Sequence, residues 1–398
     1  MASLPLEGIR ILDIGTRIAA PFAATLLADF GAEVIKVELP GRGDFMRNIG
    51  PFQDGYSLWW SVEGRNKRSI TLDLRKQRGR ELFLDLAAHC DVVVENFRPG
   101  TLEEWGLDYP RLVERNPGLI LTRASVYGQS GPYSQRPGMD RNGISFSGLL
   151  YLTGYADRPP VRPGVIIADY LTGVFNALSI MIALYHRDVH RGGGQSVDLT
   201  LYESLFRILE HTLPAYDKLG IVRERTGNRL ANSAPLDNWE TADGEFISIA
   251  APGDQLFPRL ARAMGQPELV DDPRFASLPR RAENADAINQ IVADWCVQHS
   301  AAEIERIMLE QDVPVARALN IADIVADPHY IARESFVTVD DPVAGPIKQP
   351  AVYPRFSETP GAIRRPAPAL GEHNAEIYGE LLGLGEEDLA ALRAEGVI

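Results

Sequence analysis

The chain has 398 residues, of which 45% are apolar and 24% charged, a composition typical of globular proteins and not of disordered or fibrous ones. Its formal net charge of -14 argues against nucleic acid as a main partner, since nucleic-acid binding needs a basic face. The two cysteines, Cys90 and Cys296, lack the spacing of a metal or redox motif and fit a reducing compartment.

No leader or membrane segment is predicted. The N-terminal residues have neither the basic nor the apolar region of a signal peptide. The most apolar stretch, residues 170–185, is interrupted by polar residues and is expected to be too short and too polar to span a bilayer. These features predict a cytoplasmic protein without a membrane partner.

The first half of the chain alternates between strand and helix patterns. Short apolar runs predict buried strands, and apolar residues at helical spacing predict helices between them. The predicted strands lie at 9–14, 34–37, 69–74, 91–95, 119–124 and 196–199, and the predicted helices at 19–29, 77–89 and 167–187. This rhythm is typical of the α/β class, with helices on both faces of a parallel sheet.

A different pattern runs from about residue 226 to residue 313. Residues 238–249 alternate around an Asp-Gly pair, as in a β-hairpin, and helical segments follow at 255–264, 285–299 and 301–311. This predicts a small α+β domain. The rest is rich in proline up to a final helix at 374–382. We therefore expect three segments: 1–215 as the first part of a large domain, 216–325 as the small domain with its linkers, and 326–398 returning to the large domain.

A series of short blocks runs through nearly the whole chain. It comprises LEGIRILD from Leu6, LADFGAEVIKVE from Leu27, NKRSI from Asn66, DVVVENFRPG from Asp91, YGQSGP from Tyr127, IIAD from Ile166, GQSVD from Gly194 and LGEHN from Leu370. In this order and at this spacing, the series resembles the class III CoA-transferases, the family of formyl-CoA:oxalate and carnitine CoA-transferases.

The resemblance implies an enzyme that moves coenzyme A from an acyl-CoA donor, such as succinyl-CoA, to a carboxylic acid. The family's nucleophile lies in the block that ends at Asp169. Asp169 is therefore expected to attack the donor thioester and to carry CoA by way of an anhydride and an aspartyl thioester. No permanently bound cofactor is expected, because CoA enters as the thioester substrate. The alternative from the residues alone is that Asp169 only caps the apolar helix that follows it.

The resemblance also implies where CoA is bound. The expected contacts are Ile18, Ala19, Leu72, Arg75, Asn96, Phe97 and Arg98. Arg42, Lys67 and Arg68 are candidate phosphate partners by charge and neighbourhood, with a solvated basic patch as the alternative. Asp140 is expected near the reacting thioester, with a structural role in its loop as the alternative.

No metal site is predicted. Only His186 and His190 have a helical ligand spacing, and they stand at a polar helix end where we expect them to face solvent.

Two other functions compete with the transferase reading. The 2-methylacyl-CoA racemases share the expected fold, but they need an acid and a base on opposite faces of the substrate, one of them a histidine before the loop aspartate. Met139 stands before Asp140 here and cannot exchange a proton. The second alternative is a non-catalytic subunit of a heteromeric CoA-transferase, against which the intact block around Asp169 argues.

The acceptor acid is suggested by arginines in the loop region between the predicted strands. They are Arg136, Arg141, Arg158 and Arg162. Because arginine binds carboxylates bidentately, we hypothesise a dicarboxylate acceptor. The alternative is that these arginines pair with the surplus acids of a chain whose net charge is -14.

The resemblance finally implies an interlocked dimer, in which each subunit has a large Rossmann-like domain and a smaller α+β domain joined by long linkers. Residues 217–233 and 326–368 are connectors compatible with this arrangement. The partner is expected to be an identical chain, with a heteromer of two related chains as the alternative.

Overall fold

The apolar runs form strands in the computed structural model, which describes residues 4–398. The strands are β1 (Arg10–Asp13), β2 (Glu33–Glu38), β3 (Phe52–Gln53), β4 (Tyr56–Ser57), β5 (Lys67–Thr71), β6 (Val92–Glu95), β7 (Ile120–Ser125), β8 (Ser196–Thr200), β9 (Leu236–Glu240), β10 (Phe246–Ala250), β11 (Val315–Arg317), β12 (Phe336–Asp341) and β13 (Gly345–Pro350).

Helices fill most of the intervals between these strands. They are α1 (Ala19–Asp29), α2 (Leu58–Glu63), α3 (Gln77–Ala88), α4 (Thr101–Glu104), α5 (Tyr109–Arg115), α6 (Asp140–Phe146), α7 (Leu149–Leu152), α8 (Ile167–Val189), α9 (Leu201–Phe206), α10 (Thr212–Leu219), α11 (Phe257–Ala263), α12 (Leu278–Glu283), α13 (Ala285–Cys296), α14 (Ala301–Glu310), α15 (Ile321–Ala326), α16 (Pro328–Ala332), α17 (Asn374–Leu382) and α18 (Glu386–Ala394). Two 3₁₀ turns cover Phe45–Asn48 and Pro267–Val270.

The elements fall into two units. The first holds the described residues up to Leu150, together with Pro163–Pro214 and Glu334–Ile398, and the second holds Tyr151–Arg162 and Ala215–Arg333. The domain boundaries expected from the sequence stay a prediction.

The first unit is built on a six-stranded sheet in the order β5-β2-β1-β6-β7-β8, in which every pair is parallel. The strands that precede β6 extend to one side of β1, and the later strands extend to the other side. The strand order therefore reverses between β1 and β6, which makes the carboxyl ends of these two strands a topological switch point. The predicted α/β class with a parallel sheet is confirmed.

The central strands read as continuous apolar runs because both of their faces are buried. Neighbouring residues of a strand point to opposite faces. On β1, Ile11 joins the core that α1 and α8 form on one face, whereas Leu12 joins the core that α3 and α17 form on the other. Helices therefore cover both faces, as the rhythm of the sequence predicts.

The second unit has its own core. Strands β9, β10 and β11 form an antiparallel sheet, with Asp243 and Gly244 in the tight connection between β9 and β10. Trp239 and Ile247 pack against Phe257 and residues of α13 and α14. The predicted small α+β domain is confirmed in its class of structure.

The C-terminal segment holds two elements that the sequence patterns did not reveal. Strands β12 and β13 form an antiparallel hairpin whose Gln349 side chain donates to the carbonyl of Ser61. Helix α18 follows α17, so the expectation that residues 374–382 form the final helix is wrong. Helix α18 is highly polar and buries only Leu389 and Leu392, too few residues for a clear helical period.

Helix α8 is longer than the apolar stretch predicted from the sequence. It has 23 residues and is, within residues 4–398, the helix long and apolar enough to cross a membrane by length and composition. The expectation that this stretch is too short and too polar to span a bilayer is therefore wrong by length and composition, because the helix continues beyond residues 170–185 at both ends. Thr172, Gly173 and Asn176 lie on its buried side. About 39% of its most apolar window is buried in the chain, mainly against α1.

A buried ion network lies under the switch point. Asp13, the last residue of β1, is fully buried between Lys36 and Lys67. Its carboxylate is 3.4 Å from the Lys36 ammonium and 2.9 Å from the Lys67 ammonium. Lys36 also donates to the carbonyl of Gly15 and lies 3.1 Å from the Asp44 carboxylate. Burial lowers the pKa of Lys36, but Asp13 and Asp44 outweigh it and the pKa lies above its usual value.

This network makes Lys67 a structural residue, so we expect Lys67→Met to lower the free energy of unfolding by about 3–5 kcal/mol, because it leaves Asp13 buried with less compensating charge. Urea unfolding followed by circular dichroism measures the change. Lys218→Met, at an exposed lysine whose side chain is 79% accessible, is the control and should stay within about 0.5 kcal/mol. Equal effects of the two substitutions would show that the network does not stabilise the fold.

Candidate active site

Two loops meet at the switch point, one after β1 and one after β6. The side-chain amide of Asn96 holds them together, because its Oδ1 accepts from the backbone N–H of Thr16 at 2.7 Å and its Nδ2 donates to the Thr16 carbonyl at 2.6 Å. Open α/β sheets bind their ligands at such a point, outside the carboxyl ends of the strands.

Two cavities open beside this junction. Cavity A, of about 410 Å³, lies between the loops that follow β1, β6 and β7 and the start of α8. Cavity B, of about 620 Å³, lies between the loops that follow β1, β2 and β5. Thr16, Arg17 and Phe97 line both cavities, so the two spaces adjoin.

The structure gathers most of the residues expected from the sequence around these cavities. Ala19, Asn96, Phe97, Arg98, Asp140 and Asp169 line cavity A, and Arg42, Leu72, Arg75 and Phe97 line cavity B.

Three expected contacts are placed elsewhere. Ile18 lines neither cavity, because its side chain is buried with Met46, Trp60 and Ala367. Lys67 is buried on Asp13, as described above, and Arg68 pairs with acids including Glu33. The candidate phosphate partners Lys67 and Arg68 are thus engaged in the fold.

Asp169 is the third residue of α8 and not its N-cap, which is Ile166. The cap comes instead from Asp140, whose Oδ1 accepts from the backbone N–H groups of Ala168 at 2.8 Å and Asp169 at 3.4 Å. The reading of Asp169 as a helix cap is therefore wrong. Within residues 4–398, no hydrogen-bond donor reaches the Asp169 carboxylate.

The surroundings of Asp169 disfavour its charge. Burial and, to a smaller extent, the negative charge of Asp140 raise its pKa to about 7, against the opposing effect of the positive charge of Arg17. Near neutral pH the carboxylate is therefore divided between its two protonation states. A pKa shifted this far by burial and a named charge is typical of functional sites.

Arg17 is a site residue that the sequence did not indicate. Its backbone has φ of 64°, its N–H donates to the Asp44 carboxylate at 3.3 Å, and its guanidinium lies over the ring of Phe45, 4.0 Å from the centroid. Its position between a strand that ends in Asp13 and the start of α1 is the one signal that could have drawn attention to it, since loops after such strands bind ligands.

The four loop arginines do not act as one set. Arg136 lines cavity A and stacks on Tyr133, with its guanidinium 3.5 Å from the ring centroid. Arg141 is exposed and does not line the cavity. Arg158 and Arg162 belong to the second unit, where Arg158 lies 3.9 Å from Asp157.

A second buried acid supports the loop after β6. Glu95 accepts from the backbone N–H of Phe97 at 2.6 Å and from Arg123 at 2.7 Å. Burial raises the pKa of Glu95 to about 7, against the opposing effect of Arg123. Arg123 also binds Glu103 on α4 at 2.6 Å. This chain of contacts fixes the backbone that presents Phe97 and Arg98.

Comparisons of the sequence with known proteins identify the family. A sequence model of CoA-transferase family III matches residues 6–374. The chain belongs to CoA-transferase family III. The family and the enzyme class predicted from the sequence blocks are confirmed.

This family III CoA-transferase has relatives of nearly equal length. It is 48% identical over 395 residues to succinyl-CoA–D-citramalate CoA-transferase of Chloroflexus aurantiacus, which covers 99% of this chain and 98% of the relative. It is 44% identical over 400 residues to the beta subunit of succinyl-CoA–L-malate CoA-transferase of Chloroflexus aurantiacus, which covers 100% of this chain and 98% of the relative. The crystal structure of a CaiB/BaiF family protein from Brucella suis has a TM-score of 0.85 at 34% identity, over 95% of this chain and 100% of that one.

Carboxylates and guanidinium groups are the charged groups that line cavity A. Within residues 4–398, no group of three or more His, Cys, Asp or Glu side chains is arranged to hold a metal ion.

The raised pKa of Asp169 makes a prediction for stability. Its folded-state value of about 7 exceeds the ordinary value of 3.8, so the stability that is present at low pH is lost as the pH rises toward about 7. Asparagine resembles the neutral form of the acid, so a protein with asparagine at this position should not lose this stability as the pH rises. We expect Asp169→Asn to raise the midpoint of thermal unfolding at pH 8 and to raise it less at pH 5.

Differential scanning fluorimetry between pH 5 and pH 8 measures this difference. Asp188→Asn, at a half-exposed aspartate on the same helix, is the matched control and should show no such pH dependence. If the midpoint of thermal unfolding of Asp169→Asn differs from that of the wild type by the same amount at every pH, the raised pKa of Asp169 is contradicted.

Proposed function

We propose that this enzyme transfers CoA from succinyl-CoA to a dicarboxylic acid through a covalent intermediate on Asp169. The observation that carries the proposal is the unpaired Asp169 carboxylate in a cavity that also presents Arg17, Arg98 and Arg136. Relatives at 48% and 44% identity are named for succinyl-CoA as donor and for citramalate or malate, both dicarboxylic acids, as acceptor.

In the first half of the reaction, a carboxylate oxygen of Asp169 attacks the carbonyl carbon of the donor thioester. The carbon–sulfur bond breaks, CoA leaves as the thiolate, and an anhydride joins the acyl group to Asp169. The thiolate then attacks the aspartyl carbon of the anhydride, which releases the donor acid and leaves CoA on Asp169 as a thioester.

The second half uses the same steps in reverse. The acceptor carboxylate attacks the aspartyl thioester, CoA leaves as the thiolate, and a new anhydride forms. Attack of the thiolate on the acceptor carbon gives the acceptor thioester and restores the Asp169 carboxylate. No water or ATP is consumed, because the energy of the thioester is held in the covalent intermediates.

The two cavities suit the two ends of an acyl-CoA. Cavity B offers apolar cover from Leu72, Phe97 and Trp105 for the adenine, with Arg42 and Arg75 beside it for phosphates. Arg75 is paired with Asp73 at 2.7 Å, yet its side chain remains 63% exposed. We place the thioester in cavity A, which the junction at Thr16 and Arg17 connects to cavity B.

The neighbours of Asp169 tune its reactivity. A nucleophile with a pKa near the working pH combines a large ionised fraction with high basicity, and the pKa of Asp169 is raised to about 7. Asp140 acts twice, since its charge raises this pKa and its oxygen holds the backbone of Ala168 and Asp169.

Intact-protein mass spectrometry tests the nucleophile. Incubation of the wild type with succinyl-CoA should give a CoA adduct that peptide mapping places at Asp169 and that hydroxylamine removes. Asp169→Asn should give no adduct, whereas Asp188→Asn should give the wild-type amount. An adduct retained in Asp169→Asn would contradict the proposal, and α-proton exchange into deuterated water without any adduct would indicate a racemase.

The outer face of α8 supports a proposal on assembly. Apolar side chains along it are half or more exposed at helical spacing, among them Leu178 at 53%, Ile182 at 60% and Tyr185 at 57%. We propose that a second copy of the chain covers this stripe, because the stripe runs along the helix that carries Asp169 and the family resemblance implies a dimer.

We expect the wild type to be a dimer and Ile182→Glu to shift it toward monomer, since a charge at the centre of an apolar interface is costly. Size-exclusion chromatography with light scattering at micromolar concentration measures the mass. Asp188→Asn, at the polar edge of the same helix, should remain dimeric. A monomeric wild type would contradict the proposal.

A further inference from the structure

Cavity A is lined by three arginines, Arg17, Arg98 and Arg136, and no acid in the described part of the chain neutralises any of them. Within residues 4–398, none of these guanidinium groups makes an ion pair. Those of Arg17 and Arg136 lie over the rings of Phe45 and Tyr133, and that of Arg98 donates to a backbone carbonyl. This is unexpected in a chain with 54 acidic and 40 basic residues, where other arginines such as Arg47 and Arg123 are paired. An unpaired cation in a cavity of such a chain indicates an anionic ligand.

Arg17 is held in place independently of any acid partner. Its backbone is fixed by the bond from its N–H to Asp44, which the Lys36 ammonium holds from below at 3.1 Å. Asn96 also fixes the preceding residue, Thr16, by hydrogen bonds to both its backbone N–H and its carbonyl. The ring of Phe45 supports the guanidinium. A cation positioned in this way is ready for a ligand before the ligand arrives.

The charges in cavity A explain why the free carboxylate of a dicarboxylic acyl group would need a cation such as Arg17. Asp169 and Asp140 already place two acids beside the reacting carbon. An acyl group with its own free carboxylate adds a third negative charge, which is costly in a partly buried space unless a cation pairs with it. Of the three arginines that line the cavity, Arg17 is the one whose charge acts on Asp169.

The other two arginines are placed differently. Arg98 donates to the carbonyl of Gln135, and Arg136 stacks on Tyr133 in the same loop, so both are tied to the loop that follows β7. Arg17 stands on the opposite side, on the loop after β1, where it also borders cavity B.

We propose that Arg17 binds the unreacting carboxylate of the substrate and thereby selects dicarboxylic acyl groups. The planar guanidinium can donate two parallel hydrogen bonds to that carboxylate, which a monocarboxylic acyl group cannot accept. This inference rests on the proposed function, since it concerns the acyl group that Asp169 receives.

The first half-reaction isolates this role. Succinyl-CoA and butyryl-CoA have four-carbon acyl chains and differ in the free carboxylate, so the rate of CoA adduct formation with each reports its contribution. Arg17→Gln should lower kcat/KM for succinyl-CoA about 10- to 100-fold, the loss expected when hydrogen bonds to a charged group are removed. The rate with butyryl-CoA should change little, so the preference of the enzyme falls.

Two further variants make the result specific. Arg17→Lys keeps the charge without the paired donors and should retain an intermediate preference for succinyl-CoA. Arg141→Gln removes an exposed arginine that does not line the cavity and should behave as wild type. Thermal midpoints near the wild-type value show that each variant is folded.

The outcomes separate this inference from the proposed function. Equal losses with both thioesters in folded Arg17→Gln would overturn it, because Arg17 would then bind CoA itself, for example its phosphates, or act on Asp169 alone. In that case the adduct on Asp169 in the wild type would still support the transferase. A wild type that forms no adduct with either thioester would overturn the proposed function, and the selection by Arg17 with it.

Discussion

Asp13, buried at the end of β1 between two lysine side chains, is the constraint on which the site depends. Its carboxylate joins Lys36 of β2 and Lys67 of β5, and so ties three adjacent parallel strands together. The network also reaches Gly15 and Asp44, which set the turn after β1. Because ions buried in this way are costly to separate, the turn that carries Thr16 and Arg17 is held rigidly at the switch point.

The acids of the site lie on helices, whereas its arginines lie on loops. The side-chain Oδ1 of Asp140 caps α8 by accepting from the backbone N–H of Ala168, while the carboxylate of the neighbouring Asp169 is left without a donor. A carboxylate that the fold positions but does not neutralise combines a raised pKa with access to the cavity. The arginines come from loops after β1, β6 and β7, and so surround the acid without pairing with it. An acidic protein can in this way bind an anionic substrate, because its cations are concentrated at one place.

Several features of the fold could be read directly from the chain, because they depend on local pattern. Helices α1 and α17 begin and end at the residues that their apolar spacing predicts. Strands β1, β2, β6, β7 and β8 lie at the apolar runs that predicted them. The hairpin of β12 and β13 escaped detection, since its stability comes from contacts with residues such as Ser61, far away in the sequence. Helix α18 escaped because its polar surface dominates its composition. Helix α8 was predicted at residues 167–187 and continues only to Val189, because its apolar spacing is clear in the sequence.

What the sequence by itself determined is the class of fold, the family and the block that contains Asp169, since these follow from periodicity and from the order of short motifs. Only the tertiary structure decided which charged residues are available to a ligand. Lys67, Arg42 and Arg17 look alike as isolated cations, yet Lys67 is fully engaged by Asp13, whereas Arg42 and Arg17 face cavities. The physical reason is that a charged side chain is available to a ligand only if no other group of the protein neutralises it, and the groups that can do so come from strands and loops that only folding brings together.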